Sequence, residues 1–117
     1  MPTIIRPEDR KLEPLGQDTT GRNADGDWIK HWVICEGSPY LHMTQVSPGF
    51  VIHPHSHSEP EVTLILSGTV ALGDEQIGAG SLILIDADEE YSLVAGEDEP
   101  LLFVVFRPKK AAFQGTS

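Results

Sequence analysis

The stretch that decides the fold is residues 49–68, GFVIHPHSHSEPEVTLILSG. Its histidines His53, His55 and His57 alternate along the chain, so an extended strand would direct all three imidazoles to one face. A proline then turns the chain, and Glu61 opens an apolar run that can pair back as the next strand. Imidazole nitrogens from the first strand and a carboxylate oxygen from the second would form a three-point site for a divalent metal. Such a site leaves coordination positions open for water, substrate or dioxygen.

A histidine-rich loop on an acidic protein can also be a solvated turn or an adventitious metal binder. The spacing favours a site, because the stretch resembles the first motif of the cupin superfamily. That motif is a glycine, five residues, His-x-His, three residues, a glutamate, six residues and a glycine. Its fixed positions are all filled here, by Gly49, His55, His57, Glu61 and Gly68. The resemblance implies that His55, His57 and Glu61 are metal ligands.

The second cupin motif is less complete in this chain. It is a glycine, five residues, a proline, one residue, a glycine, two residues, a histidine, three residues and an asparagine. Gly80 fits the first glycine, but Tyr91 stands where the family has its histidine ligand. Tyr91 could bind the metal as a phenolate, donate a hydrogen bond or proton to a bound substrate, or line the wall. We predict the second role, which makes Tyr91 the candidate catalytic residue.

His53 is a possible additional ligand or a pocket residue. It shares a strand face with His55, but two residues of extended chain add roughly 6 to 7 Å. Reaching the same ion would therefore need a kink, which Pro54 could supply. His31 and His42 lie in other predicted strands, and we interpret both as structural residues outside the site.

Short runs of β-branched and aromatic residues, separated by Gly and Pro turns, predict an all-β sandwich or barrel. The cupin resemblance narrows this to a double-stranded β-helix, a jelly-roll barrel. We expect an irregular N-terminal leader over residues 1–27, the cupin barrel over 28–107 and a C-terminal tail over 108–117. The tail shows no clear element and is expected to be a short helix or disordered.

Charge and composition limit the partners. The chain has 117 residues, 8 Lys and Arg against 18 Asp and Glu, and a formal net charge of -10. This charge disfavours nucleic-acid and membrane-surface binding, and no apolar run has the length of a membrane span. The amino terminus lacks a signal-peptide core, and the single Cys35 cannot form an internal disulfide. We therefore expect a cytoplasmic protein, with Cys35 buried in its apolar strand.

The resemblance implies a metal-dependent enzyme acting on a small organic molecule. Two histidines and a carboxylate suit a mononuclear non-haem iron oxidoreductase of the dioxygenase type, with Fe(II) favoured and Zn, Ni or Mn as alternatives. Other possibilities are a redox-neutral metal cupin (an isomerase or lyase) and a non-catalytic cupin that binds or senses a small molecule.

A homodimer is also expected. The strand over residues 101–106 is apolar on both faces, and Trp28 and Trp32 add aromatic surface that one small barrel cannot cover. Exposed sheet edges are commonly protected by pairing across a two-fold axis.

Overall fold

A computed structural model describes residues 2–15 and 26–115. In this part of the chain one 3-10 turn, Pro7–Asp9, precedes eleven strands. The strands are β1 Glu13–Pro14, β2 Ile29–Glu36, β3 Tyr40–Val46, β4 Val51–His57, β5 Glu61–Ser67, β6 Val70–Leu72, β7 Glu75–Ile77, β8 Leu82–Ile85, β9 Tyr91–Ala95, β10 Leu101–Arg107 and β11 Phe113–Gly115.

The strands form two antiparallel sheets. The six-stranded sheet has the order β1-β2-β3-β10-β5-β8, and the five-stranded sheet has the order β11-β4-β9-β6-β7. The hydrophobic core combines residues of both sheets, among them Ile65 and Phe103 from the first and Val70 and Leu93 from the second. The core therefore lies between the sheets, as in a jelly roll. The predicted all-β jelly-roll fold is confirmed.

Alternation along the central strands decides which side chains reach the interior. On β5, Glu61, Thr63 and Ile65 are buried, while the residues between them are partly exposed. On β10, which pairs with β5, the alternate residues from Leu101 to Arg107 are buried in the same way. The period of two thus directs both apolar side chains and a few charged ones into the barrel.

Gly68 ends the decisive stretch for a steric reason. Its φ is +83°, and a Cβ at this position would lie 2.6 Å from the carbonyl oxygen of Pro100. Only glycine combines this backbone conformation with so close an approach. The glycine that closes the first motif therefore allows β5 to turn against the start of β10.

Both ends of the chain add a strand to the barrel. In the leader, β1 pairs with β2 through Glu13 and His31. In the tail, β11 pairs with β4 and sets Phe113 opposite His57, so the expectation of a helix or disorder there was wrong. Residues 16–25 of the leader and 116–117 of the tail lie outside the described residues.

The prediction that Cys35 is buried was also wrong. Cys35 is exposed, because β1 covers β2 only at its other end and the pairing of β2 with β3 shifts register between Val33 and Cys35. Separately, no helix within residues 2–15 and 26–115 is long and apolar enough to cross a membrane.

Candidate active site in the barrel cavity

A cavity of about 210 Å³ lies inside the barrel between the two sheets. Much of its lining is apolar, including Phe50, Leu93 and Phe103. All five histidines of the chain also line it, together with Glu61, Tyr91 and Arg107. An apolar cavity with a few converging polar groups is the usual form of a small-molecule site.

Glu61 is the centre of the polar cluster. Its side chain is buried, and it accepts hydrogen bonds from neighbours on three strands. Oε1 lies 3.2 Å from Nε and 3.1 Å from Nη2 of Arg107. Oε2 accepts the hydroxyl hydrogens of Thr63 at 2.8 Å and Tyr91 at 3.0 Å. These donors together occupy both oxygens of the carboxylate.

Arg107 brings a permanent positive charge into the barrel. It is 6% exposed, it is the last residue of β10, and it continues the inward alternation of that strand. Besides Glu61, its guanidinium lies 5.1 Å from the centre of the Tyr40 ring. A buried guanidinium needs such partners, since its charge has lost its water.

His55 has a defined tautomer. Its Nδ1 lies 2.8 Å from the backbone oxygen of His53, and a carbonyl oxygen only accepts, so Nδ1 carries the hydrogen. In the neutral form of the ring the lone pair is on Nε2, and no described residue donates a hydrogen bond to it. The ring lies 4.5 Å from that of Tyr91 and 4.9 Å from that of His57, measured between centroids.

Among the described residues, Nε2 of His53 and Nδ1 of His57 are buried without a hydrogen-bond partner. Burial first, and the Arg107 charge second, lower the pKa of His57 to about 4 although Glu61 opposes the shift. The ring is therefore neutral at pH 7. Its 3.5 Å approach to Glu61 Oε1 is accordingly a contact rather than an ion pair.

His31 and His42 also line the cavity. From the sequence, both had been interpreted as structural residues outside the site. Their rings are 4.7 Å apart, and each has a hydroxyl partner: Thr44 at 3.0 Å for His31 and Tyr40 at 3.1 Å for His42. Burial lowers the pKa of His42 to about 3, with further lowering by the charges of neighbouring groups, and also lowers that of His31. Both rings are neutral at pH 7.

Tyr91 faces the cluster from β9. Its hydroxyl donates to Glu61, and burial together with the Glu61 carboxylate raises its pKa above the ordinary value near 10. The hydrogen therefore stays on the phenol at neutral pH. This disfavours the phenolate-ligand interpretation and leaves Tyr91 as a hydrogen-bond donor beside the imidazoles.

Solved structures identify the architecture. No family model and none of the curated proteins searched matches the chain. The polyketide cyclase RemF of Streptomyces resistomycificus matches all of this chain and 87% of its own, at 21% identity and a TM-score of 0.72. An RmlC-like cupin of Ralstonia eutropha matches 95% of this chain and 71% of its own, at 13% identity and a TM-score of 0.66.

The chain has a cupin fold. A further similar structure is the complex of SigE with the anti-sigma ChrR of Rhodobacter sphaeroides, at 21% identity and a TM-score of 0.68. There the match covers 87% of this chain, which spans about half, 51%, of the matched chain. The sequence resemblance to the cupin superfamily is thus confirmed for the fold.

The metal that a cupin fold implies can be tested against the side chains. His53, His55, His57 and Glu61 all line the same cavity. They do not meet as a ligand set, because the oxygens of Glu61 are already bonded to Arg107, Thr63 and Tyr91. Among the described residues, no three His, Cys, Asp or Glu side chains are arranged to hold an ion. The imidazoles of His55 and His57 could therefore bind a metal, whereas the carboxylate of Glu61 could not, because its oxygens already have other partners.

Sequence reasoning missed Arg107, which changes the chemistry of this site most. The predicted strand ended at Phe106, so the inward position of Arg107 was not expected. The signal was present in the alternation of Leu101, Phe103 and Val105, whose next inward position is 107. His31 and His42 were missed because their facing depends on the pairing of β2, β3 and β10.

Proposed function

We propose that this protein binds a small organic molecule in the barrel cavity and acts on it by redox-neutral proton transfer, as an isomerase or lyase does. The observation that carries the proposal is the state of the cavity wall. Neutral imidazoles and a neutral phenol surround an anchored carboxylate–guanidinium pair at one part of an otherwise apolar cavity. Neutral imidazoles accept protons, and a phenol with a raised pKa donates a hydrogen bond without losing its hydrogen.

His55 is the proposed base. The hydrogen bond from Nδ1 to the His53 carbonyl leaves the lone pair on Nε2, and it stabilises the imidazolium formed once Nε2 has taken a proton. His55 would remove a proton from a carbon beside a carbonyl group and return it at a neighbouring atom. Tyr91 would turn its hydroxyl hydrogen from Glu61 to the carbonyl oxygen of the substrate while negative charge develops there.

An iron-dependent oxidoreductase of the dioxygenase type is the second candidate. The unpartnered ring nitrogens of His53 and His57 favour it, because buried nitrogens without partners suit a metal. His55 and His57 would hold the ion, with Glu61 joining only after it leaves Arg107. Bound Fe(II) would supply dioxygen chemistry; Zn, Ni or Mn would serve redox-neutral reactions.

Proton exchange tests the leading candidate. The protein is incubated in deuterated water with a panel of small carbonyl compounds, and loss of carbon-bound hydrogen is followed by NMR. Enzyme-dependent exchange of at least one compound without added metal supports proton transfer. Dioxygen consumption only with added Fe(II) supports the second candidate instead. Saturable binding with neither reaction would make the protein a binding or sensing cupin.

Tyr91→Phe is expected to slow such exchange by about 10²-fold, because a hydrogen bond to the developing oxyanion is lost. Substrate affinity should stay within about tenfold, since the ring remains in the wall. Initial rates and KM give both quantities. Tyr40→Phe is the matched control, because it removes a buried hydroxyl from a residue that does not line the cavity. Equal rates for wild type and Tyr91→Phe would contradict the role.

We also propose that two copies pair through the outer face of the six-stranded sheet. Leu82, Leu84 and Phe106 are 62%, 76% and 42% exposed on this face. β5 joins β8 to β10 there, with its outward Val62 paired to both Leu84 and Phe106. Exposed apolar surface on the edge strand β8 is a liability for a monomer.

Light scattering at micromolar concentration should therefore give the mass of a dimer. Leu84→Lys should shift the protein to monomer, since a charge would be buried in the interface. Ile4→Lys is the control, because Ile4 is also a large apolar residue, is 66% exposed and lies outside the strands of the sheet. A wild-type protein that is monomeric under these conditions would refute the pairing.

A further inference from the structure

Arg107 is a permanent cation inside a barrel whose motif implies a metal cation. Its guanidinium is buried, and its charge reaches beyond Glu61 to other parts of the wall. After burial itself, Arg107 is among the causes that lower the pKa of both His31 and His42. The interior of the barrel thus already holds one fixed positive charge.

The Arg107 guanidinium contacts the Glu61 carboxylate, which the motif implies is a metal ligand. Nε and Nη2 of Arg107 both approach Oε1 of Glu61, at 3.2 and 3.1 Å. The hydroxyls of Thr63 and Tyr91 bond Oε2. A carboxylate offers about four lone-pair sites. These four contacts leave no site on Glu61 for an ion, and an ion bound there would also meet the guanidinium charge at close range.

The imidazoles of the motif lack any comparable partner. Nδ1 of His57 has no hydrogen bond, although it lies 3.5 Å from Glu61 Oε1. Nε2 of His55 receives none from the described residues, and its tautomer leaves the lone pair there. The nitrogens are therefore free to coordinate, whereas the carboxylate is held by Arg107.

We infer that the Arg107 guanidinium takes the place of the metal ion in this cupin site, and that removing its charge opens a divalent transition-metal site on His55, His57 and Glu61. In a variant with a neutral residue at 107, Glu61 loses its counter-charge and regains lone pairs on Oε1. A bound divalent ion would then supply the charge that the buried carboxylate lacks. The inference does not depend on the proposed reaction, since it concerns only the competition for Glu61.

Cobalt titration tests the inference without any activity assay. Wild type and Arg107→Met, both purified without an affinity tag, are dialysed against Co²⁺, and the bound ion is followed by its visible ligand-field absorption. We expect the variant to bind one equivalent at least 100-fold more tightly than wild type. Arg107→Lys should behave like wild type because it keeps a cation, and adding His57→Ala to Arg107→Met should abolish the gain.

Two results would overturn the inference. One is tight binding of one equivalent of Co²⁺ by wild type that is lost in His57→Ala. The other is a folded Arg107→Met protein, verified by circular dichroism, with no gain in affinity. If Arg107→Met does not fold, Arg107→Gln provides the neutral variant, and the wild-type titration decides the first result in any case.

Discussion

Glu61→Leu is expected to lower the free energy of unfolding by about 3 to 5 kcal/mol. The substitution leaves the Arg107 guanidinium buried without a counter-charge, which is the costly way to break a buried ion pair. It also deprives the hydroxyls of Thr63 and Tyr91 of their acceptor. Urea unfolding of wild type and variant at neutral pH measures the difference.

The double variant Glu61→Leu/Arg107→Met separates the ion pair from simple loss of packing. Removing both charges together should cost less than removing Glu61 alone, because no charge then remains buried and unpaired. Glu59→Ala is the control, since the ion pair that the described residues give Glu59 is a distant one, 3.9 Å, with the largely exposed Lys109. Its effect should stay within about 0.5 kcal/mol. A loss below about 1 kcal/mol for Glu61→Leu would contradict a buried pair.

Acidification is expected to remove about 3 kcal/mol of stability between about pH 6.5 and pH 5. In the folded protein the pKa of His42 is about 3 and that of His57 about 4, both below the value of 6.5 for free histidine. In this window the unfolded chain therefore binds protons that the folded chain does not, so stability falls as pH falls. Each histidine contributes about 1.5 kcal/mol over the window, because the unfolded histidine is already half protonated at pH 6.5.

The measurement is urea unfolding at about pH 7.5, 6.5 and 5. Burial is the main cause for His42, and His31, Arg107 and His57 add to it. His42→Phe keeps an aromatic ring of similar size and cannot bind the proton, so its loss between the last two pH values should be about half that of wild type. A wild-type stability that is unchanged by acidification, or an equal loss in His42→Phe, would refute the assigned cause.

Sequence patterns predicted the strands well where alternation and turn residues agree. β5 begins at Glu61, directly after Pro60, as expected, and β10 contains the predicted strand over residues 101–106. They failed where a strand depends on its neighbour. β11 has little pattern of its own and exists because it pairs with β4, and the exposure of Cys35 follows from how little of β2 is covered by β1.

The candidate site was predicted in part for the same reason. The resemblance to the cupin motifs pointed to His55, His57, Glu61 and Tyr91, which all line the cavity. It could not show that β10 pairs with β5 and brings Arg107 against Glu61, because that contact joins residues 46 positions apart. The motif therefore indicated the position of the candidate site. The pairing of β10 with β5 determined that Glu61 has Arg107 as its partner.

The most direct test of the account is a crystal structure of the wild-type protein soaked in Zn²⁺, with anomalous data collected at the zinc edge. If Arg107 occupies Glu61, as we infer, Arg107 Nη2 stays about 3.1 Å from Glu61 Oε1 and no anomalous peak lies beside Glu61. A zinc peak about 2.0 to 2.2 Å from His55, His57 and Glu61, with Arg107 displaced, would contradict the inference.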